Sequence, residues 1–464
     1  MYRLKQITLW VGDMFGLYIG LYSAIFLRYL RLPSQNLIEL ISPFTFLFFL
    51  AGIIMFISGL YDVTKLKNSW AFFQKVLIST VIWIILGITY FYINHNQSVA
   101  PKTILLLTAL IGFCLLSLWR FLYNRFIAIN LKYNIVFAGI TAEVIELIQT
   151  IKNGPQTGYA VVGILARDES EKNKLLVPDS IKASIPFAKT MAEIQQQIKA
   201  PINIIVLAPQ LSANQELLKD LYQGLFQQIS IIGLSDFYES VMHRIPPFTF
   251  SETWFVTNLQ EQQKKIYDRF RILTDYIVAF FITLFFLATF PFIALAIKLN
   301  SKGNIFFTQN RVGRQGNIFK VFKYRTMQSL SADGSAETSG PQFAAHHDNR
   351  ITTVGKFLRL SRLDEIPQFI NILKGEMSVI GPRPERPEFV DQLTSTMPFY
   401  ALRHLIKPGL TGWAQINYPY GASIEDSRHK LEYDLYYAKN YTPFLDLLIL
   451  LQTIRVVLWP EGAR

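Results

Sequence analysis

The chain has 464 residues, 51% hydrophobic, 14% aromatic and only 17% charged, against an ordinary charged share of about 25%. That excludes a disordered protein, which needs low hydrophobicity and high charge, and the long apolar blocks exclude an ordinary soluble enzyme. Lys and Arg exceed Asp and Glu by 12 (45 against 33), which implies an anionic partner: nucleic acid, anionic lipid or a phosphorylated substrate. The single cysteine, Cys114, leaves no disulfide framework and no cysteine-based metal site. At roughly 150 residues per domain the length suggests about three structural units. The composition is that of a basic membrane protein with a sizeable soluble part.

Four apolar stretches fill the first quarter, at 7–30, 40–61, 73–93 and 103–123. Each reaches the ~20 residues that cross a hydrocarbon core. The first is too long for a cleavable signal peptide and lacks a small-residue cleavage site. Short-loop charges orient the bundle. Arg3 and Lys5 precede the first span, and Lys65, Lys67 and Lys75 lie around the second loop. The third loop has one Lys, and Arg120, Arg125 and Lys132 follow the fourth span. Both ends of a four-helix transmembrane region, 1–130, are therefore expected to be cytoplasmic, with Arg28 and Arg31 opposing that orientation.

From about 131 to 250 short apolar runs alternate with amphipathic segments. Strands are expected at 134–138, 160–165, 202–207 and 229–234, and helical segments at 143–151 and 214–226. This alternation predicts a parallel sheet with crossover helices, an α/β Rossmann-like cytoplasmic domain. Its first turn, Ala138-Gly139-Ile140-Thr141-Ala142, lacks the later glycines that let a backbone approach a pyrophosphate. A folded spacer or oligomerisation domain is the expectation.

A third region, 251–464, opens with a fifth apolar stretch, 272–297. It carries one charge, Asp275, and contains Pro291. Lys264, Lys265, Arg269 and Arg271 precede it, and Lys298 and Lys302 follow. A spanning helix would be basic on one side only, and a proline removes a backbone hydrogen bond and kinks a helix. A re-entrant helix bent at Pro291 is expected, with a kinked spanning helix as the alternative.

The chemistry-bearing residues follow. Lys298, Lys302, Arg311, Arg314, Lys320, Lys323 and Arg325 occur with no acid before Asp333. Glycines and aromatics interrupt the run as in a strand-turn-strand, so it suits either a phosphate site or a lipid-facing surface. Arg359, Arg362, Asp364 and Glu365 cluster ahead of one apolar helical face, Ile366, Phe369, Ile370 and Leu373. Neighbours on an α-helix point ~100° apart, so one carboxylate could attack while the other holds a cation, or both could be a surface pair. Gly381-Pro-Arg-Pro-Glu385 and Lys407-Pro-Gly-Leu-Thr-Gly-Trp are turns that can aim Arg383, Arg403 and Lys407 inward.

Five ordered motifs between residues 307 and 415 resemble the bacterial sugar transferase family, the monotopic phosphoglycosyl transferases. They are Phe307-Thr-Gln-Asn-Arg-Val-Gly-Arg-Gln-Gly316, Phe322-Lys-Tyr-Arg-Thr-Met327, Leu363-Asp-Glu-Ile-Pro-Gln368, Gly375-Glu-Met-Ser-Val-Ile-Gly-Pro-Arg-Pro384 and Pro408-Gly-Leu-Thr-Gly-Trp-Ala-Gln415. The whole chain resembles the long, exopolysaccharide-type members, with Tyr418 a departure from relatives that have Gly after Asn417. The resemblance implies an α/β catalytic domain with a re-entrant membrane helix at the cytoplasmic face of a bacterial inner membrane. It implies transfer of a hexose 1-phosphate from a UDP-sugar, glucose or galactose, to undecaprenyl phosphate with release of UMP. This would be a first membrane step of exopolysaccharide, capsule or O-antigen synthesis. It assigns Asp364 as nucleophile, Glu365 as Mg²⁺ ligand, and Lys323, Arg325, Arg359, Arg362 and Arg383 as charge-neutralising or donor-binding cations. Arg403 and Lys407 are further candidates for substrate binding. A homodimer is plausible, and nucleic acid is not an expected partner.

Two other functions compete. A glycosyltransferase that uses a nucleotide sugar directly would usually hold its metal with Asp-x-Asp, which occurs nowhere in the chain. A non-catalytic polysaccharide-assembly scaffold would explain the spans but not the ordered motifs. His346-His347, in the Ser/Gly/Ala-rich stretch 329–347, is expected to be a mobile loop rather than a metal pair.

Overall fold

In the computed structural model the described residues are 2–30, 40–61, 68–94, 102–127, 132–154, 157–166, 178–198, 200–211, 229–247, 252–259, 265–328, 350–418, 421 and 423–458. The expectations for 214–226, for 329–347 with His346 and His347, and for Arg31, Lys65, Lys67 and Lys264 lie outside them. The chain forms two folded units, Met1–Val241 and Met242–Arg464.

In the first unit four apolar helices form the amino-terminal part: Tyr2–Tyr29, Ile41–Ile57, Trp70–Ile93 and Lys102–Leu122, the last ending in a wider turn, Tyr123–Ile127. Ile41–Ile57 has 17 residues, so its roughly 25 Å falls short of a ~30 Å hydrocarbon core. The expected span 40–61 is thus too long: the helix stops at Ser58, and Gly59 turns in the left-handed region. Arg120 is not a loop charge. It is fully buried and bridges Asp13 at 2.5 Å, and it donates to the Leu60 carbonyl at 2.7 Å. A charge among apolar helices must be paired in this way. Lys5 is buried as well, so two of the charges used to orient the bundle do not report on its loops.

The unit continues into strands β1 Tyr133–Ala138, β2 Tyr159–Leu165, β3 Phe187–Ala188, β4 Ile204–Leu207 and β5 Ser230–Gly233. All pair in parallel, in the order β3-β2-β1-β4-β5. The four expected strands are present. The two-residue β3 is too short to leave a periodicity. The helix after β1, Ala142–Asn153, is capped by Thr141, which accepts from the Val144 amide. At the turn before it, Gly139 has φ +101°, and a Cβ there would meet that of Ala208 at 2.7 Å. The loop after β4 therefore fills the space beside this turn.

In the second unit β6 Phe306–Val312 and β7 Ile318–Tyr324 form the expected antiparallel hairpin, with Phe307 opposite Lys323. Short β8 Ser378–Ile380 and β9 Gly409–Thr411 pair in parallel. A 36-residue helix, Lys265–Asn300, runs through Pro291 without interruption. Its first turns are bonded to β8 and the carboxy-terminal helices. Asp275 accepts from the Ser378 hydroxyl and the Val379 amide, both at 2.9 Å, and Arg271 donates to the Ile380 carbonyl. Tyr267 and Tyr437 both donate to Asp446, at 2.6 Å each. Farther along, Phe286 and Phe290 stack on Phe306, and Phe286 also on Tyr324. At the far end Arg325 holds the Ser301 and Lys302 carbonyls at 2.8 Å. The opposite face, with Phe280, Phe281, Leu284, Phe292 and Leu295, is exposed.

Candidate active site

The Asp-Glu dyad lies on a 3₁₀ turn, Leu363–Gln368, not on the expected α-helix, which begins at Phe369. Arg362 precedes it with φ +58°, a left-handed residue that reverses the chain after the helix Thr353–Leu360. With three residues per turn, neighbours diverge by roughly 120°. Glu365 accordingly turns inward and is buried, whereas Asp364 is half-buried.

Two cations meet on one oxygen of Glu365. Lys323, from β7, lies 3.0 Å from Oε1, and Arg383, from the Gly-Pro-Arg-Pro segment, lies 2.7 Å from it. Burial opposes the charge on Glu365, but Arg383 and Lys323 outweigh it and hold this carboxyl well below its ordinary range. Burial pulls the Lys323 ammonium down, and Glu365 pulls it back. Asp364 makes no hydrogen bond or ion pair among the described residues. Burial and then the neighbouring Glu365 push its carboxyl up, against the attraction of Lys323, Arg359 and Arg383. One carboxylate is tied down beside the other, which is left available.

Arg359 approaches from the helix Thr353–Leu360 and donates to Thr326 Oγ1 at 2.9 Å. Gly355 permits this approach, because a Cβ there would overlap the Thr326 carbonyl. Arg362 is exposed and acts on Glu365 through its charge. The structure thus gathers Asp364, Glu365, Lys323, Arg359, Arg362 and Arg383. Three expected members fall elsewhere. Arg325 is buried, and its two terminal nitrogens donate to the carbonyls that end the long helix. Arg403 is buried beneath Arg383, against Asp434. Lys407 is half-buried, beside Gly375 and within the field of Asp275. Conversely, Arg311 was visible only as one member of a basic run. It holds the Pro384 carbonyl at 3.0 Å and so fastens the segment that carries Arg383.

Residues 266–460 match the family model of the bacterial sugar transferases. Over 325 residues the chain is 31% identical to the UDP-glucose:undecaprenyl-phosphate glucose-1-phosphate transferase of Klebsiella pneumoniae, covering 70% of this chain and 67% of that one. The chain belongs to the bacterial sugar transferase family. Another relative in the family, the UDP-glucose:undecaprenyl-phosphate glucose-1-phosphate transferase of Escherichia coli K12, is 30% identical over 336 residues, 70% of this chain and 67% of that one. The UDP-N-acetylgalactosamine-undecaprenyl-phosphate N-acetylgalactosaminephosphotransferase of Aeromonas hydrophila is 49% identical over 171 residues, 37% of this chain and 39% of its own length. All the gathered side chains lie within the bacterial sugar transferase match. A second model, described as a CoA-binding domain, matches residues 56–223, which include β1–β4.

Proposed function

We propose that this membrane protein transfers a hexose 1-phosphate from a UDP-sugar to undecaprenyl phosphate, releasing UMP. The observation that carries the reading is the unpartnered Asp364 beside a Glu365 fixed by two cations. An Asp364 carboxylate oxygen attacks the β-phosphorus, and the bridging P–O bond breaks with its electron pair leaving on UMP. An oxygen of the lipid phosphate then attacks the same phosphorus and returns the carboxylate. A carboxylate is a weak nucleophile towards an anionic phosphate, so the cations must neutralise charge as it develops. Lys323 and Arg359 lie beside the dyad for that task, Arg362 contributes at its rim, and Arg383 is read as the donor-binding cation.

Mg²⁺ fits this donor set. Such ions are usually held through one or two carboxylates plus substrate phosphates and water. Glu365 Oε2 has no hydrogen-bond partner among the described residues, and Asp364 is adjacent. No larger carboxylate or histidine cluster exists among those residues, so the remaining ligands would come from the donor's phosphates and water. When bound, the ion would offset phosphate charge and polarise the P–O bond.

The long helix is read as re-entrant and bent at Pro291, with the site on the cytoplasmic face of a bacterial inner membrane. What supports this is that residues near both ends, Tyr267 and Ser301, are bonded to the same folded unit. The middle sheet is read as Rossmann-like from its strand order, and it is the candidate surface for a homodimer. The relatives' names extend the candidate sugars from glucose and galactose to N-acetylgalactosamine.

The test is UMP release from UDP-sugar without lipid acceptor. Wild-type protein should give a burst of about one UMP per active site and gain one hexose phosphate in mass at Asp364. UDP as the product, or UMP release that strictly requires the lipid with no trappable adduct, would overturn the covalent reading.

A further inference from the structure

Arg403 was expected among the substrate-binding cations, yet it is 5% exposed and its partner Asp434 is 2% exposed. Both terminal nitrogens of its guanidinium are engaged. One terminal nitrogen donates to the Tyr400 hydroxyl at 2.6 Å. The other lies 2.7 Å from Asp434 Oδ2 and donates to the Arg383 carbonyl at 2.9 Å. Arg383 in turn reaches Glu365. An unbroken chain of contacts therefore runs from Asp434 through Arg403 and Arg383 to the dyad. On its other flank the same segment is held by Arg311 at Pro384 and by the Val312 amide at the Glu385 carbonyl, 2.9 Å.

We infer that Arg403 and Asp434 are a buried positioning pair that sets the place of Arg383, and with it donor affinity, without touching the donor. The inference rests on the function proposed above. Its physical basis is that a buried ion pair is a poor source of net stability compared with apolar packing of similar volume. A planar guanidinium reaches the hydroxyl from one nitrogen and the carboxylate and carbonyl from the other in a fixed fork, which the single nitrogen of a lysine does not reproduce.

Purified full-length protein with UDP-sugar tests it. Asp434→Asn preserves volume and should raise the donor KM about tenfold with kcat changed less than about twofold, the signature of lost uniform binding. Arg403→Lys should give an intermediate rise, and it carries the same comparison if Asp434→Asn fails to fold. Arg383→Met should raise KM by itself, and Asp434→Asn added to it should raise it no further. An unchanged KM with only a lower thermal midpoint would make the pair mere packing, and an additive rise would place its action elsewhere. Either result overturns the inference. A substrate-free arm measures the coupling of Arg383→Met and Glu365→Gln in thermal midpoint by a double-mutant cycle. That coupling should vanish in the Asp434→Asn background, and its persistence would also refute the inference. If wild-type protein released no UMP from any UDP-sugar, the proposed function would fail while this arm still decided the pair.

Discussion

Asp364 and Glu365 are adjacent in sequence and opposite in circumstance. Asp364→Asn keeps the shape and removes the nucleophilic charge, so both the UMP burst and the phosphosugar adduct should disappear, read by product release and protein mass. Glu365→Gln leaves Lys323 and Arg383 facing a neutral amide. It should lower the rate and shift the Mg²⁺ requirement to higher concentration, measured by metal titration of UMP release. A third expectation concerns acidity. Burial pushes the Asp434 carboxyl up to about 6, against the attraction of Arg403, with Glu385 and Lys430 also facing it. Its folded value lies above the ordinary value near 4. The sign follows: its contribution to stability is present below about pH 4 and lost as pH rises through about 6. The thermal midpoint of wild-type protein should fall across that window relative to Asp434→Asn. The donor KM should fall over the same rise in pH, because below about 6 a protonated Asp434 leaves Arg403 without its charged partner.

Among the elements, long apolar runs announced the helices, alternating short apolar runs the parallel sheet, and the glycines and aromatics within the basic run the hairpin of β6 and β7. The motifs announced the dyad and Arg383. What they did not reveal was burial. Arg325 and Arg403 read as site cations because a sequence shows charge but not the carbonyls that absorb it. Asp13 drew no notice until its partner Arg120 was found on another helix. The 3₁₀ turn was also hidden, since a six-residue turn has too few repeats to separate it from an α-helix. Asp275 is the charge inside an apolar stretch, and it satisfies two donors of β8. Charge-assisted bonds contribute roughly 1.5–3 kcal/mol each, so Asp275→Leu should lower the thermal midpoint and the donor affinity together. A loss of affinity without destabilisation would mean that Asp275 acts on the donor directly.

At the scale of the whole chain two measurements matter. With exposed Cys114 first replaced, cysteines at Arg269 and Lys302, both exposed, should be labelled only from the cytoplasmic side. Labelling of either from the periplasm would require a spanning helix. Pro291→Leu restores the missing hydrogen bond and should shift labelling towards that arrangement while activity is lost. In the parallel middle sheet, Ala208 and Leu211 fill the space beside Gly139 at the first turn. Titration with NAD(P) or coenzyme A should give no saturable micromolar binding and no change in turnover.

The hydrogen bonds that Arg271 donates to β8 and Asp275 accepts from it mean that the apolar helix is not a tether that could be exchanged for another. Any fragment that begins after Asn300 would strand the Ser378 hydroxyl and the Val379 amide and lay bare the aromatic seat of Phe286. A water-soluble version cannot be made by truncation. The same helix carries an exposed apolar face and completes the fold around β8, so agents that extract it should silence the enzyme before its secondary structure melts.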